Sequence, residues 1–114
     1  MSTLKTTIRT AATGPVIEVT GDLDYDTAPQ LRDLLSTLTL HHGQRLVLDL
    51  ARLEFCDSSG ISALIAAHNH AEAARAETIL TAVPGDILRI LHLTALDQVF
   101  TLHPDIPSST SPPS

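Results

Sequence analysis

The amino-acid sequence predicts one small α/β domain: a mixed β-sheet with three to four helices, in the order β-β-α-β-α-β-α with a possible final strand. Three observations lead there. The 114 residues suffice for one domain and not for two. Apolar positions switch repeatedly between a period of 2 and a period of 3.6, the strand and helix signatures. Turn-forming residues separate the switches: Gly14-Pro15, His42-Gly43, Asp57 to Gly60 and Pro84-Gly85.

Each element follows in order. From Leu4 to Thr10, Leu4, Thr6, Ile8 and Thr10 share one face and Lys5, Thr7 and Arg9 the other, a half-exposed strand. Gly14-Pro15 turns the chain into a second strand, Val16 to Thr20. The loop Gly21 to Asp26 follows, with Asp26 or Thr27 placed to cap the next helix and Pro29 tolerated in its first turn. Leu31, Leu34, Leu35 and Leu38 form the apolar stripe of that helix, which His42-Gly43 stops. Leu46 to Leu50 is almost continuously apolar, as expected of a central strand covered on both faces. After Asp57 to Gly60, a second helix carries Ile61, Leu64, Ile65 and His68 inward and runs to about Arg75. Thr78 to Val83 is a further strand, Ile87 to Leu91 marks a third helix, and Val99 to Leu102 fits a short last strand. The domain is expected to span residues 1–103. The Pro- and Ser-rich residues 104–114 lack periodicity and are expected to be a disordered tail.

Composition narrows the function. Apolar residues make up 43%, and aromatics 3%, so the core is Leu, Ile, Val and Ala. There is no aromatic platform for stacking bases. The formal net charge is −6, with Lys5 and six arginines scattered singly. This argues against nucleic acid and anionic membrane as direct partners, since both need clustered cations. A single cysteine, Cys56, allows no internal disulfide. The first residues lack the apolar stretch of a signal peptide, and no apolar run approaches membrane-spanning length. A cytoplasmic location is the expectation.

Strand-helix alternation implies parallel pairing with right-handed crossovers, and sites in such folds gather at the carboxyl ends of strands. The loop Gly21 to Asp26 and the turn Asp57-Ser58-Ser59-Gly60 both leave such ends and are expected to meet at one edge. The second places serine hydroxyls at a helix N-terminus, where free N–H groups and the helix dipole favour an anion. A phosphate added there need not unfold anything. Simple capping by Asp57 or a serine accounts for the same composition.

Other chemistries fit less well. Ser58 has the strand-turn-helix setting of a nucleophile elbow but lacks the first glycine of G-x-S-x-G. A hydrolase also needs a histidine partner, for which His68, His70, His92 and His103 are the later candidates. His68 and His70 lie at i, i+2 on different helix faces and do not chelate one metal. Asp22, Asp24 and Asp26 are read as a solvated loop with one cap in preference to a cation site. On the second helix, Ser59, Ser62, Ala63, Ala66, His70 and Ala73 fall opposite the inward stripe. That small, nearly uncharged face suits an interface core as well as ordinary helix surface.

Two segments resemble a known family. LDLARLEFCDSSGISAL (48–64) and GDLDYDTAPQL (21–31) are similar to the two signatures of bacterial STAS-domain anti-sigma factor antagonists, in the matching element order. The resemblance covers roughly residues 4 to 102. It implies that the unphosphorylated protein binds an anti-sigma factor, a serine kinase of histidine-kinase-like ATPase fold, and so releases a sigma factor. It implies phosphorylation on Ser58, which switches binding off, and reversal by a PP2C-type phosphatase. It implies partner contacts from Asp22 and Asp24, with Asp57 shaping the serine loop, and no catalytic activity. With Ser58, Ser59 and Gly60 of the turn and Ser62, Ala63 and Ala66 of the small helix face, these are the expected partner-binding residues, and no cofactor or metal is expected. Ser62 departs from the glycine common at that place. The same resemblance admits a stressosome-type scaffold or a soluble component of a lipid transporter.

Overall fold

The computed structural model describes residues 3–103. The expected tail, 104–114, lies outside them. Eight residues, Leu4–Ala11 (β1), pair antiparallel with Gly14–Leu23 (β2). The hairpin turns at Ala12-Thr13, two residues before the expected Gly14-Pro15, because Gly14 already pairs with Ala11. Ala28–Ser36 (α1) leads to Arg45–Cys56 (β3), Ser58–Ala73 (α2), Glu77–Thr81 (β4) and Gly85–Leu93 (α3). A short 3-10 turn, Leu96–Gln98, precedes Thr101–His103 (β5). The sheet order is β1-β2-β3-β4-β5, with every pair after the first hairpin parallel.

This sequential order decides where the helices lie. Each crossover advances one strand in the same direction, so crossovers of one hand stack their helices on one face. The main core bears this out. Leu31 and Leu35 of α1, Ile61 and Leu64 of α2, and Ile87 and Leu91 of α3 pack with Ile17, Val19, Leu46, Leu48, Leu50 and Leu80 of the sheet. Val47, between Leu46 and Leu48, points the other way. It forms a second small cluster with Val16 and Ile79, its direct neighbours in the sheet. The expectation that β3 is covered by elements on both faces is therefore corrected. The helices cover one side, and Val47 is enclosed at 2% exposure within a cluster of sheet residues on the other.

Several element boundaries differ from the expected ones, and the extension of β3 matters most for the site. β3 runs on past Leu50 to Cys56, so the strand delivers the chain directly into Asp57. Its pairing with β2 is interrupted between Glu18 and Thr20 and again between Gly21 and Asp22. Bulges of this kind re-aim the strand ends. α1 ends at Ser36, short of the expected His42, although Leu38 still packs against the core. β4 is Glu77–Thr81 rather than Thr78 to Val83, and β5 begins at Thr101 after Phe100 is buried at 4%.

Candidate functional site: the carboxyl edge of the sheet

The two polar loops meet as expected, and backbone contacts hold them together. Asp22 pairs with Phe55 and Leu23 with Cys56 across β2 and β3. The Asp57 N–H donates to the Leu23 carbonyl at 3.3 Å. Gly60 lies so near that a Cβ there would sit 2.3 Å from the same carbonyl oxygen and 2.6 Å from Cys56 Sγ. Only glycine lets the first turn of α2 approach β2 this closely.

The turn itself is simple. Asp57 is the N-cap of α2, its Oδ1 accepting from the Gly60 N–H at 3.0 Å. Ser58 and Ser59 are the first two helical residues. Ser58 is exposed and Ser59 half-buried. Capping by Asp57 and presentation of Ser58 thus coexist, because the cap uses the carboxylate and leaves the serine side chains outside the helix bonding. The helix end carries its partial positive charge beneath them.

The Asp22 to Thr27 loop has a different internal economy. Thr27 Oγ1 donates to the Asp22 carbonyl at 2.7 Å and accepts from the Asp24 N–H at 2.9 Å. Asp24 Oδ1 accepts from the N–H groups of Asp26 at 3.0 Å and Thr27 at 3.2 Å. The side-chain cap expected from Asp26 or Thr27 is corrected. Thr27 holds the N-cap position of α1, but its hydroxyl faces back into the loop, the Asp24 carboxylate binds N–H groups ahead of the helix, and no side chain of the described residues caps α1. Asp22 is half-buried and Asp26 exposed.

Cys56 lies buried under the turn. Burial, then the negative charges of Asp57 and Asp86, push its thiol up to about 12. It is a neutral, unreactive thiol at ordinary pH, because the thiolate is the nucleophile. Asp86 lies in the first turn of α3, so this helix, expected from the sequence to serve packing alone, also faces the turn. Ile90 of α3 and Thr94 just after it, with Cys56, Asp57, Ser58, Ile61 and Ser62, line a cleft of about 370 Å³ beside the serine. Ile90 is 37% exposed. Its i, i+3 spacing from Ile87 looked like core, and the apolar pattern alone does not separate a core edge from a cleft wall.

The small face of α2 is also corrected in part. Ala63 is 0% exposed, packed in the core, and has no surface to offer a partner. α1 lies alongside α2, and His70 Nε2 donates to the Leu38 carbonyl at 3.0 Å just beyond α1. Gly60 is buried as well and acts through its backbone. Ser59 and Ala66 are half-buried and Ser62 exposed. The histidines are engaged elsewhere: His68 with Glu72 at 3.1 Å and edge-on to Phe100, His92 with Asp97 at 2.9 Å. None lines the clefts flanking Ser58. Among the described residues no group of three or more His, Cys, Asp or Glu is placed to hold a metal ion, and no helix is long and apolar enough to cross a membrane.

Fold and edge together define a class: a small α/β domain on a mixed sheet, with a capped serine turn presented between two helices and locked to an acidic loop. The chain belongs to the STAS-domain family. The family model described as "Mlab, STAS domain" matches residues 6–104. Anti-sigma-B factor antagonists of Listeria monocytogenes and Listeria innocua are each 24% identical over 86 residues, 75% of either chain. The crystal structure of an anti-sigma factor antagonist from Mycobacterium paratuberculosis superposes with a TM-score of 0.76 at 27% identity, covering 91% of this chain and 88% of that one. The anti-sigma factor antagonist SpoIIAA in its unphosphorylated form matches at 0.69 and 22% identity, over 86% and 87% of the chains. A sulfate transporter family protein from Wolinella succinogenes matches at 0.69 and 17%, over 80% and 76%.

Proposed function

We propose that this domain is an anti-sigma factor antagonist. Its unphosphorylated form binds an anti-sigma factor through the carboxyl edge of the sheet, and phosphorylation of Ser58 releases it. The observation that carries the reading is the exposed Ser58 at the first position of α2, capped from beneath by Asp57 and walled by an apolar cleft. The relatives named as anti-sigma factor antagonists support it.

The physics of the switch is local. A phosphate adds about −1.5 to −2 charges. The helix N-terminus accommodates it in the free domain. In a complex it must be desolvated beside Asp57, with the Asp22 loop tied to the same turn. A penalty of about 3–5 kcal/mol weakens binding by roughly two to three and a half decades, enough for an off state without refolding. The kinase is the anti-sigma factor itself, of histidine-kinase-like ATPase fold, and a PP2C-type phosphatase restores the binding form. The protein acts in the cytoplasm by binding and not by catalysis.

The fold is shared with a sulfate transporter family protein, so it does not choose the partner. A pull-down with unphosphorylated protein does. Recovery of an anti-sigma factor that ATP releases is the expected result; recovery of a transporter subunit insensitive to ATP overturns it. Kinase and ATP place one phosphate on Ser58, read by mass spectrometry. Ser58→Ala binds constitutively and Ser58→Asp more weakly. Phosphate on Ser59 or Ser62 with Ser58 unmodified sinks the assignment.

A further inference from the structure

We propose that the cleft between α1 and α2, on the side of the turn away from α3, receives an acidic side chain of the protein partner, and that Arg32 selects it. The inference rests on the reading of this edge as a partner-binding surface.

Two clefts flank the first turn of α2, and they differ in chemistry. The one beside Ser58 is apolar and carries no cation. The other, about 180 Å³, is lined by Tyr25, Ala28, Pro29, Arg32, Ser59 and Ser62. Ser62 belongs to both and forms the ridge between them. Arg32 is the only cation lining either cleft, is exposed, and makes no ion pair among the described residues. The charged residues of the adjoining loop and turn, Asp22, Asp24, Asp26 and Asp57, are all acidic.

A partner that complements those acids presents basic groups. An acidic side chain meets the like charges of Asp22, Asp24, Asp26 and Asp57 along the loop and turn, and Arg32 is the one cationic side chain lining the two clefts. There a planar guanidinium offers a fork of donors matched to a carboxylate. The Ser59 and Ser62 hydroxyls add donors, and Tyr25, Ala28 and Pro29 supply apolar walls that displace water. Tyr25 stands 79% exposed at the rim. Exposed Tyr beside Arg is the composition of an interface anchor. The cleft has room for one side chain and no more. A carboxylate seated there, with bases on the aspartates, fixes the direction in which the partner lies across the turn and excludes uniformly basic surfaces.

The test uses the full chain and two probes. In an NMR titration, N-acetyl-glutamate amide is expected to shift the Arg32 Nε–H and the Ser59 and Ser62 amides saturably. N-acetyl-glutamine amide, or the glutamate probe on Arg32→Gln, is expected to act at least about tenfold more weakly. An equal response, or none, overturns the inference. With the anti-sigma factor as probe, Arg32→Glu is expected to weaken binding about tenfold, and reversing one acidic partner residue to Arg restores it. If wild type and Arg32→Glu bind the anti-sigma factor alike, the inference fails and the functional reading stands. If the glutamate probe seats on Arg32 but no anti-sigma factor binds the protein, the reading fails and the cleft stands.

Discussion

The Asp22 to Thr27 loop and the Asp57 to Gly60 turn are alike in composition and opposite in use. Both leave the carboxyl end of a parallel strand, and both open a helix with an aspartate and a hydroxyl residue. In the first, Thr27 is 6% exposed and its hydroxyl is bonded to the backbone at Asp22 and Asp24, and Asp24 holds two further N–H groups. The side chains of Thr27 and Asp24 are spent on the loop's own shape, and the exposed Asp26 and Tyr25 face outward. In the second, one carboxylate makes one cap bond, and the hydroxyl of Ser58 stays outside. A loop that satisfies itself is a scaffold. A turn that leaves its hydroxyls outside its own bonding keeps them accessible from solvent.

Graded substitutions break or sharpen this contrast. The largest effect is expected where the two segments touch. Gly60→Ala drives a Cβ against the Leu23 carbonyl, which is backbone and yields little. A loss of about 3 kcal/mol in urea unfolding is expected; a change under 1 kcal/mol would mean that α2 shifts freely and the two segments are not locked together.

Thr27→Val keeps shape and removes the hydroxyl, orphaning the Asp22 carbonyl and the Asp24 N–H. About 2 kcal/mol is expected from the same measurement. Asp57→Ala removes a single N-cap bond and is expected to cost about 1 kcal/mol. Ser58→Ala, at an exposed helical position, is expected to change stability by less than about 0.5 kcal/mol while abolishing phosphorylation. Thermal or urea melts showing Thr27→Val and Ser58→Ala to be equally costly would erase the distinction between scaffold and site.

Much of the edge was legible from residue order. Two loops with turn chemistry, each after a β-rich run and before a helical stripe, place themselves at strand ends whenever the strands are parallel. Asp57 as a cap and Ser58 as an exposed hydroxyl followed from the same local logic. The errors arose where an amphipathic pattern had more than one solution. Ala63 lies opposite Ile61 and Leu64 on a helical projection and reads as surface. It is buried because a second helix lies alongside. Leu38 continued the stripe of α1, yet the helix ends at Ser36, and the Leu38 carbonyl finds its donor in His70, 32 residues away.

By itself, then, the sequence determined element order, the approximate place of every strand and helix, and which turn offers a hydroxyl. These depend on interactions within a few residues: alternation, capping, and the backbone freedom of glycine. Tertiary structure alone decided which apolar residues are walls and which are core. It put Ile90 beside Ser58, turned Thr27 into a loop clasp, hid Ala63 under a neighbour and set Arg32 across a cleft from Ser59 and Ser62. Those outcomes depend on contacts between segments far apart in the chain, and on the one-sided stacking of three helices that the strand order imposes. No local period encodes them.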